Sequence, residues 1–202
     1  MTFLYGTNME LLYSQPAIAA TIATTTSTCI NTAATINPYQ LPALQNIWSP
    51  GSMVGKGLMF LFAGGYNDTA AVESLSLTLA LDSVIATPAA SSVTVTTMGL
   101  CTVPTSATGL WEAQCWLSCV SVSNTASTWY MNGQVTVGPG NAEAALSTAF
   151  TYMWGGPTVT LGVPSPVTIA TTIGYFPDLY SKWLGNGGCT IATTQMLVFG
   201  LN

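Results

Sequence analysis

The residues best equipped for chemistry in this chain are few, and their spacing argues against most of it. Cys115 and Cys119 form a Cys-x-x-x-Cys. On a helix the two would share a face and could hold a metal ion. The residues around them alternate as in a strand, where four steps of ~3.3 Å set the two about 13 Å apart. That is too far for a disulfide or a shared ion. Both are expected as small buried side chains on the inner face of a core strand. A zinc site would have to recruit Cys29, Cys101 or Cys189 from elsewhere in the chain.

Gly51-Ser-Met-Val-Gly-Lys-Gly57 has the outline of a phosphate loop but not its requirements. It is one residue short between the first Gly and the Gly-Lys pair, and Gly57 stands where a hydroxyl should hold Mg²⁺. It also leads into a strand rather than a helix, so a plain lead-in to that strand is expected. The seven acids, Glu10, Asp68, Glu73, Asp82, Glu112, Glu143 and Asp178, are scattered. Glycoside hydrolysis needs two carboxyls at ~5–10 Å across one bond. Glu112 with Asp178 is the pair to inspect; strand ends and the rim are the expected places for acids.

No His is present, which removes Ser-His-Asp and Cys-His nucleophilic systems, His metal sites and His proton shuttles. No Arg is present either, so there is no bidentate clamp for carboxylate or phosphate. The sequence therefore assigns no catalytic residue, metal ligand or cofactor, and the chain is not expected to be an enzyme. Aromatics are the remaining candidates. Trp111, Trp116, Trp129 and Tyr130 fall on or beside two expected strands, and Trp154 and Trp183 flank Gly-rich turns. Such rings can stack on sugars, but they also fill sandwich cores and seams between subunits, which is the expected use here.

The elements that would position these residues are strands. In Glu73-Ser-Leu-Ser-Leu-Thr-Leu-Ala-Leu-Asp82, four leucines alternate with small or hydroxylic residues, the period of two of a strand with one buried face. Shorter alternations occur at 92–96, 134–137 and 158–161. Longer strands are expected over 54–62, 110–122, 172–183 and 189–199, with a polar strand over 17–30. Turn signals separate them, among them Gly64-Gly-Tyr-Asn-Asp68, Asn132-Gly133 as a type I′ hairpin turn, and Gly185-Asn-Gly-Gly188. Asn67-Asp-Thr69, which matches a glycosylation acceptor, is read as part of a turn. Only 141–150 has room for a turn or two of helix. Eight or more short strands without helical interludes define the expectation: an all-β, antiparallel β-sandwich, jelly-roll-like, in one domain over 1–202. Residues 1–14 are expected to be an assembly arm and 31–52 a long loop.

Composition bears on partners. Charged residues make up 4% of 202 residues, against about 25% in an ordinary globular domain. Mean hydropathy is +0.48, yet the longest strongly apolar stretch, Gly57–Ala63, is far short of the ~20 residues of a spanning helix. The six Trp, eight Tyr and six Phe argue against disorder. Two lysines, Lys56 and Lys182, at a net charge of −5 argue against phosphate-rich partners: nucleic acid and anionic membranes are not expected. The first ten residues show no basic n-region, so synthesis in a cytoplasm is expected, with the five Cys as free buried thiols. An exterior this neutral suits faces covered by neighbouring copies.

Phe3-Leu-Tyr-Gly-Thr-Asn8, Glu10-Leu-Leu-Tyr-Ser-Gln15, the closing Thr194-Gln-Met-Leu-Val-Phe-Gly-Leu-Asn202 and the central Gly109-Leu-Trp-Glu-Ala-Gln-Cys-Trp116 leading to Gly133–Pro139 carry a resemblance. They resemble the small Thr/Ala/Gly-rich structural proteins encoded in virion gene clusters of actinobacterial tailed phages. The resemblance covers about a third of the chain and transfers no functional residue. It implies a virion component, a head decoration or minor capsid protein, assembled in the host cytoplasm. Its partners would be its own copies, as a homotrimer, and the major capsid protein or other virion proteins. The alternative is a receptor- or glycan-binding β-sandwich module of a tail, fibre or adhesin, using Trp111, Trp116, Trp129 or Trp154.

Overall fold

The structure, a computed structural model, describes residues 9–15, 18–22, 25–30, 40–68, 73–84, 93–97, 101–103, 108–138, 150–153, 166–185 and 189–202. From the N-terminus the strands are β1 (Met9–Gln15), β2 (Ile18–Ile22), β3 (Thr28–Cys29), β4 (Gly57–Asn67), β5 (Glu73–Asp82), β6 (Val93–Thr97) and β7 (Cys101–Val103). They continue as β8 (Thr108–Val122), β9 (Ala126–Val137), β10 (Phe150–Met153), β11 (Val167–Ala170), β12 (Phe176–Trp183) and β13 (Thr190–Leu201). A helical turn, α1 (Leu44–Ile47), and a 3₁₀ turn at Pro50–Ser52 precede β4.

These strands form two antiparallel sheets. The larger runs β1-β13-β4-β8-β9-β10, with β2 also on β13 and β11 also on β9. The smaller runs β3-β12-β5-β6, with β7 also on β5. Alternation decides which face each sheet turns inward. Leu75, Leu77, Leu79 and Leu81 of β5 are buried, as are Trp111, Ala113, Cys115, Leu117 and Cys119 of β8. They meet Phe60, Phe62, Trp129, Val135, Leu179, Trp183, Met196 and Val198 in one core, which makes the molecule a β-sandwich. Each large side chain so buried contributes about 1.5–3 kcal/mol relative to leaving it in water.

Three sheet edges are strands in two pieces. β1 and β2 lie along β13, β10 and β11 along β9, and β6 and β7 along β5. The fourth edge, β3, is two residues long.

Two expected turns are strand interior instead. Asn132 and Gly133 lie within β9, opposite Trp116 and Cys115. The β8–β9 turn is at Ser123–Ala126, where the Ser123 amide donates to the Ala126 carbonyl at 2.7 Å. The Ser123 hydroxyl and the Ala126 amide also bond there, at 3.2 Å. Register along two long strands outweighs the local preference of Asn-Gly. Gly64 and Gly65 likewise lie within β4. Gly64 is needed there because the Trp111 indole crosses it: an added Cβ would stand 1.9 Å from the Ala192 carbonyl oxygen and 2.8 Å from the ring. The ladder shifts register at that point, between Thr193 and Gln195.

The expected arm over 1–14 lies outside the described residues through 8, and from Met9 onward it is an edge strand paired with β13. Its outward Leu11 and inward Tyr13 give it two apolar faces to bury, and the β13 edge supplies its backbone partners. Of the expected loop over 31–52, the part from 40 onward carries a bridge from Leu41 to Tyr175, α1 and the 3₁₀ turn. The expected strand over 158–161 and most of the helical turns over 141–150 lie outside the described residues.

Candidate functional site

Three of the cysteines are buried in the sandwich. Cys115 and Cys119 are buried free thiols, Cys189 is buried and Cys29 is half-buried. Burial pushes the Cys115 thiol far above its ordinary range and raises Cys119 as well. A thiol held in its protonated form is a poor nucleophile and a poor metal ligand. Cys189 donates from Sγ to Oδ1 of buried Asp68 at 2.9 Å, where β4 ends and β13 begins. Among the described residues, no three His, Cys, Asp or Glu side chains are grouped to hold a metal ion. The Gly51–Gly57 segment forms the 3₁₀ turn and enters β4, as a strand lead-in does.

Glu112 and Asp178 are not brought together. Glu112 is exposed on the outward side of β8, in the large sheet, whereas Asp178 is 2% exposed on β12 of the small sheet. Asp178 belongs instead to a buried polar group that the sequence did not announce. Tyr180 donates its hydroxyl hydrogen to Oδ2 of Asp82, which is fully buried. Burial first, then that hydrogen bond and the charges of Asp178 and Asp82, hold the Tyr180 hydroxyl well above the usual phenol range. Tyr13 of β1 is pushed up to about 12 by burial, then by Asp178 and Cys29. The pattern that could have located this group is the period of β5 itself, which turns Asp82 away from Leu79 and Leu81.

The tryptophans divide by face. Trp111, Trp129 and Trp183 are buried. Trp111 donates from Nε1 to the Ala192 carbonyl at 3.3 Å, and Trp129 to the Ser127 hydroxyl at 2.7 Å, with Trp48 tilted against its ring at 6.3 Å. Trp116 points the other way and is half-buried; Trp154 lies outside the described residues.

That other face of the large sheet is the most distinctive surface of the molecule. Cross-strand register lines its outward side chains in rows. One row runs Leu11, Phe199, Met59, Trp116, Asn132 over five strands. The row on one side of it runs Met9, Leu201, Gly57, Ser118, Tyr130. The row on the other side runs Leu197, Leu61, Gln114, Gln134, and beyond it comes Gln195, Ala63, Glu112, Thr136. Nine large apolar side chains are exposed among the described residues, and five of them, Met9, Leu11, Leu110, Val120 and Tyr130, belong to this one face. Two hollows, of about 300 Å³ and about 140 Å³, flank Glu112 on either side. Among the described residues Glu112 is the sole ionisable carboxyl or amine pointing outward from these rows.

Fold and surface together define an all-β sandwich with one broad, nearly uncharged outer face and no assembled catalytic group among the described residues. No family model, curated protein or solved structure matches the chain.

Proposed function

We propose that this chain is a non-enzymatic structural subunit that works by packing through the outer face of its large sheet. Its setting in this proposal is a tailed-phage virion, as a head decoration or minor capsid protein that stabilises the shell. The row Leu11–Phe199–Met59–Trp116 carries the reading. Scattered exposed apolar residues need no explanation, but a contiguous apolar row over four strands favours being covered. A chain with 4% charged residues also has little to keep its copies apart.

The strand orders favour jelly-roll wiring within the sandwich. β1-β13-β4-β8 and β3-β12-β5-β6 follow the pattern of an eight-stranded roll, with β9 and its two-piece edge added beyond β8. Jelly rolls serve in capsids and in lectins. The virion assignment itself rests on the resemblance of the two chain ends and the Gly109–Pro139 region. With it come the homotrimer, docking on the major capsid protein and assembly in the host cytoplasm.

Light scattering on the full chain at micromolar concentration tests the reading. An oligomer is expected, dissociating in Leu11→Lys and Trp116→Lys variants that keep their strand content. A well-behaved wild-type monomer would remove the proposal.

One observation favours the glycan-binding alternative. Trp116 and Tyr130 are diagonal neighbours on this face, beside the amides of Gln114 and Asn132. Burial of Trp111 and Trp129 takes away two of its other rings. A monomer that binds glycans and loses them in Trp116→Ala would replace the first reading with this one.

A further inference from the structure

We infer that Asp82 and Asp178, neighbours on the outward side of the small sheet, together hold a calcium ion, with Oδ1 of Asp82 and the Asp178 carboxylate as its anionic ligands. The site is independent of the packing role proposed above, which uses the large sheet.

Strand alternation places the pair. Leu79 and Leu81 of β5 point into the core, opposite Leu179 and Pro177 of β12. Ala80 and Asp82 therefore point outward, as do Phe176, Asp178 and Tyr180. Asp178 is opposite Ala80, and Asp82 is the next outward residue along β5. The two acids are thus diagonal neighbours, about 7–8 Å apart at Cα and somewhat less at Cβ. Ala80, the outward residue before Asp82, fills little of the space near them.

A hydrogen bond turns one acid toward the other. Tyr180 rises from β12 two residues beyond Asp178 and gives its hydroxyl hydrogen to Oδ2 of Asp82, which draws that carboxyl across toward β12. Both carboxylates help to raise the Tyr180 phenol, so both stand near its oxygen.

Burial makes the pair costly by itself. Asp82 is fully buried and Asp178 is 2% exposed, although both point away from the core. A carboxylate taken out of water needs a cation or a full set of donors, and two such charges on neighbouring strands oppose each other. Asp82 lacks that set: among the described residues its Oδ1 has no hydrogen-bond partner. The basic side chains of the protein are elsewhere. It has no Arg and no His. Lys182 is exposed four residues along β12 from Asp178, about 13 Å at ~3.3 Å each, and Lys56 precedes β4 in the large sheet.

The donor atoms select the ion. Carboxylate oxygens are hard ligands, suited to calcium or magnesium rather than to copper or zinc. Calcium accepts irregular shells completed by backbone carbonyls and water at about 2.3–2.6 Å, whereas magnesium demands a near-ideal octahedron. Two oxygens on one calcium ion are at most about 5 Å apart, a span that diagonal neighbours can close. One divalent ion also cancels both charges.

Calcium chloride tests the site on the full chain, first stripped with a chelator. Calcium affinity by titration calorimetry, and denaturant midpoints with and without about 1 mM calcium, are compared for the wild type, Asp82→Asn, Asp178→Asn and Glu112→Gln. The expected result is one ion per chain and a higher midpoint with calcium in the wild type and in Glu112→Gln, whose carboxyl is exposed on the other sheet. Each Asp variant should bind at least ~10-fold more weakly and lose the calcium-dependent rise. A merely structural role for the acids would change the midpoints but not the affinity. Should Asp82→Asn lose its strand signal by circular dichroism, Asp178→Asn and the wild-type calcium response decide. A wild type that binds no calcium, or Asp variants that bind it as tightly as the wild type, would overturn the site. So would a midpoint that climbs on acidification without any response to calcium, which would assign the pair a shared proton instead.

Discussion

Trp111 reaches across Gly64 to donate its indole hydrogen to the carbonyl of Ala192, so three neighbouring strands, β8, β4 and β13, are tied at a single point. The contact exists because position 64 has no side chain. Gly64→Ala would drive a Cβ into the Ala192 oxygen at 1.9 Å, whereas at Gly65 the nearest atom would be 3.7 Å away. Gly64→Ala is expected to cost more than ~3 kcal/mol, and Gly65→Ala to stay within about 1 kcal/mol. Denaturant midpoints of the two variants check the contrast; equal midpoints would mean that the indole does not cross the strand here.

The Tyr180–Asp82 hydrogen bond gives a second expectation. Asp82 is fully buried, and among the described residues its Oδ1 has no hydrogen-bond partner. Tyr180→Phe removes the donor to Oδ2 and leaves a buried carboxylate, at a cost of about 2–4 kcal/mol. In an Asp82→Asn background the same change should cost clearly less, because the charge is gone. A double-mutant cycle measures the difference, and additive effects would dismiss the coupling.

Alkaline pH should act through Tyr13. Its folded value, about 12, lies above the ordinary 10.0 because burial, Asp178 and Cys29 all oppose the phenolate. The folded state therefore holds this proton more tightly than the unfolded chain does. Its contribution to stability is complete below pH 10 and is lost as pH rises toward about 12. Unfolding midpoints measured across that window should fall less steeply in Tyr13→Phe than in the wild type. Parallel curves would refute the assignment.

Thiol labelling tests the burial of the cysteines. Native protein treated with iodoacetamide at pH 8 should keep Cys115, Cys119 and Cys189 unmodified, while Cys29 reacts partially. In denaturant all five cysteines should react, as read by peptide mass. Rapid native labelling of Cys115 would contradict its place opposite Gly133 in the core.

Sequence made some of this legible. The four leucines of β5 alternate with small hydroxylic residues, so both the strand and its buried face follow from the period. β4 is different: Gly-Leu-Met-Phe-Leu-Phe-Ala is apolar on both sides, and no period tells Met59 and Leu61, which point outward, from Leu58 and Phe60, which point inward. The outer face was hidden for that reason. Gly64-Gly65 and Asn132-Gly133 misled because glycine serves close contact as well as turning, and only the Trp111 ring above Gly64 separates the two uses. The buried pair Tyr180 and Asp82 is 98 residues apart in the chain, a separation that no local pattern bridges.

The broken borders of both sheets bear on how such a protein stays finite. A long straight border would invite any copy to add its own strand by backbone bonding, a route to fibres that side-chain repulsion could scarcely oppose in so uncharged a chain. Here each border is either two short segments, as with β1 and β2, or the two residues of β3. Among the described residues the border strands themselves run no longer than the seven residues of β1, a short template for zippering.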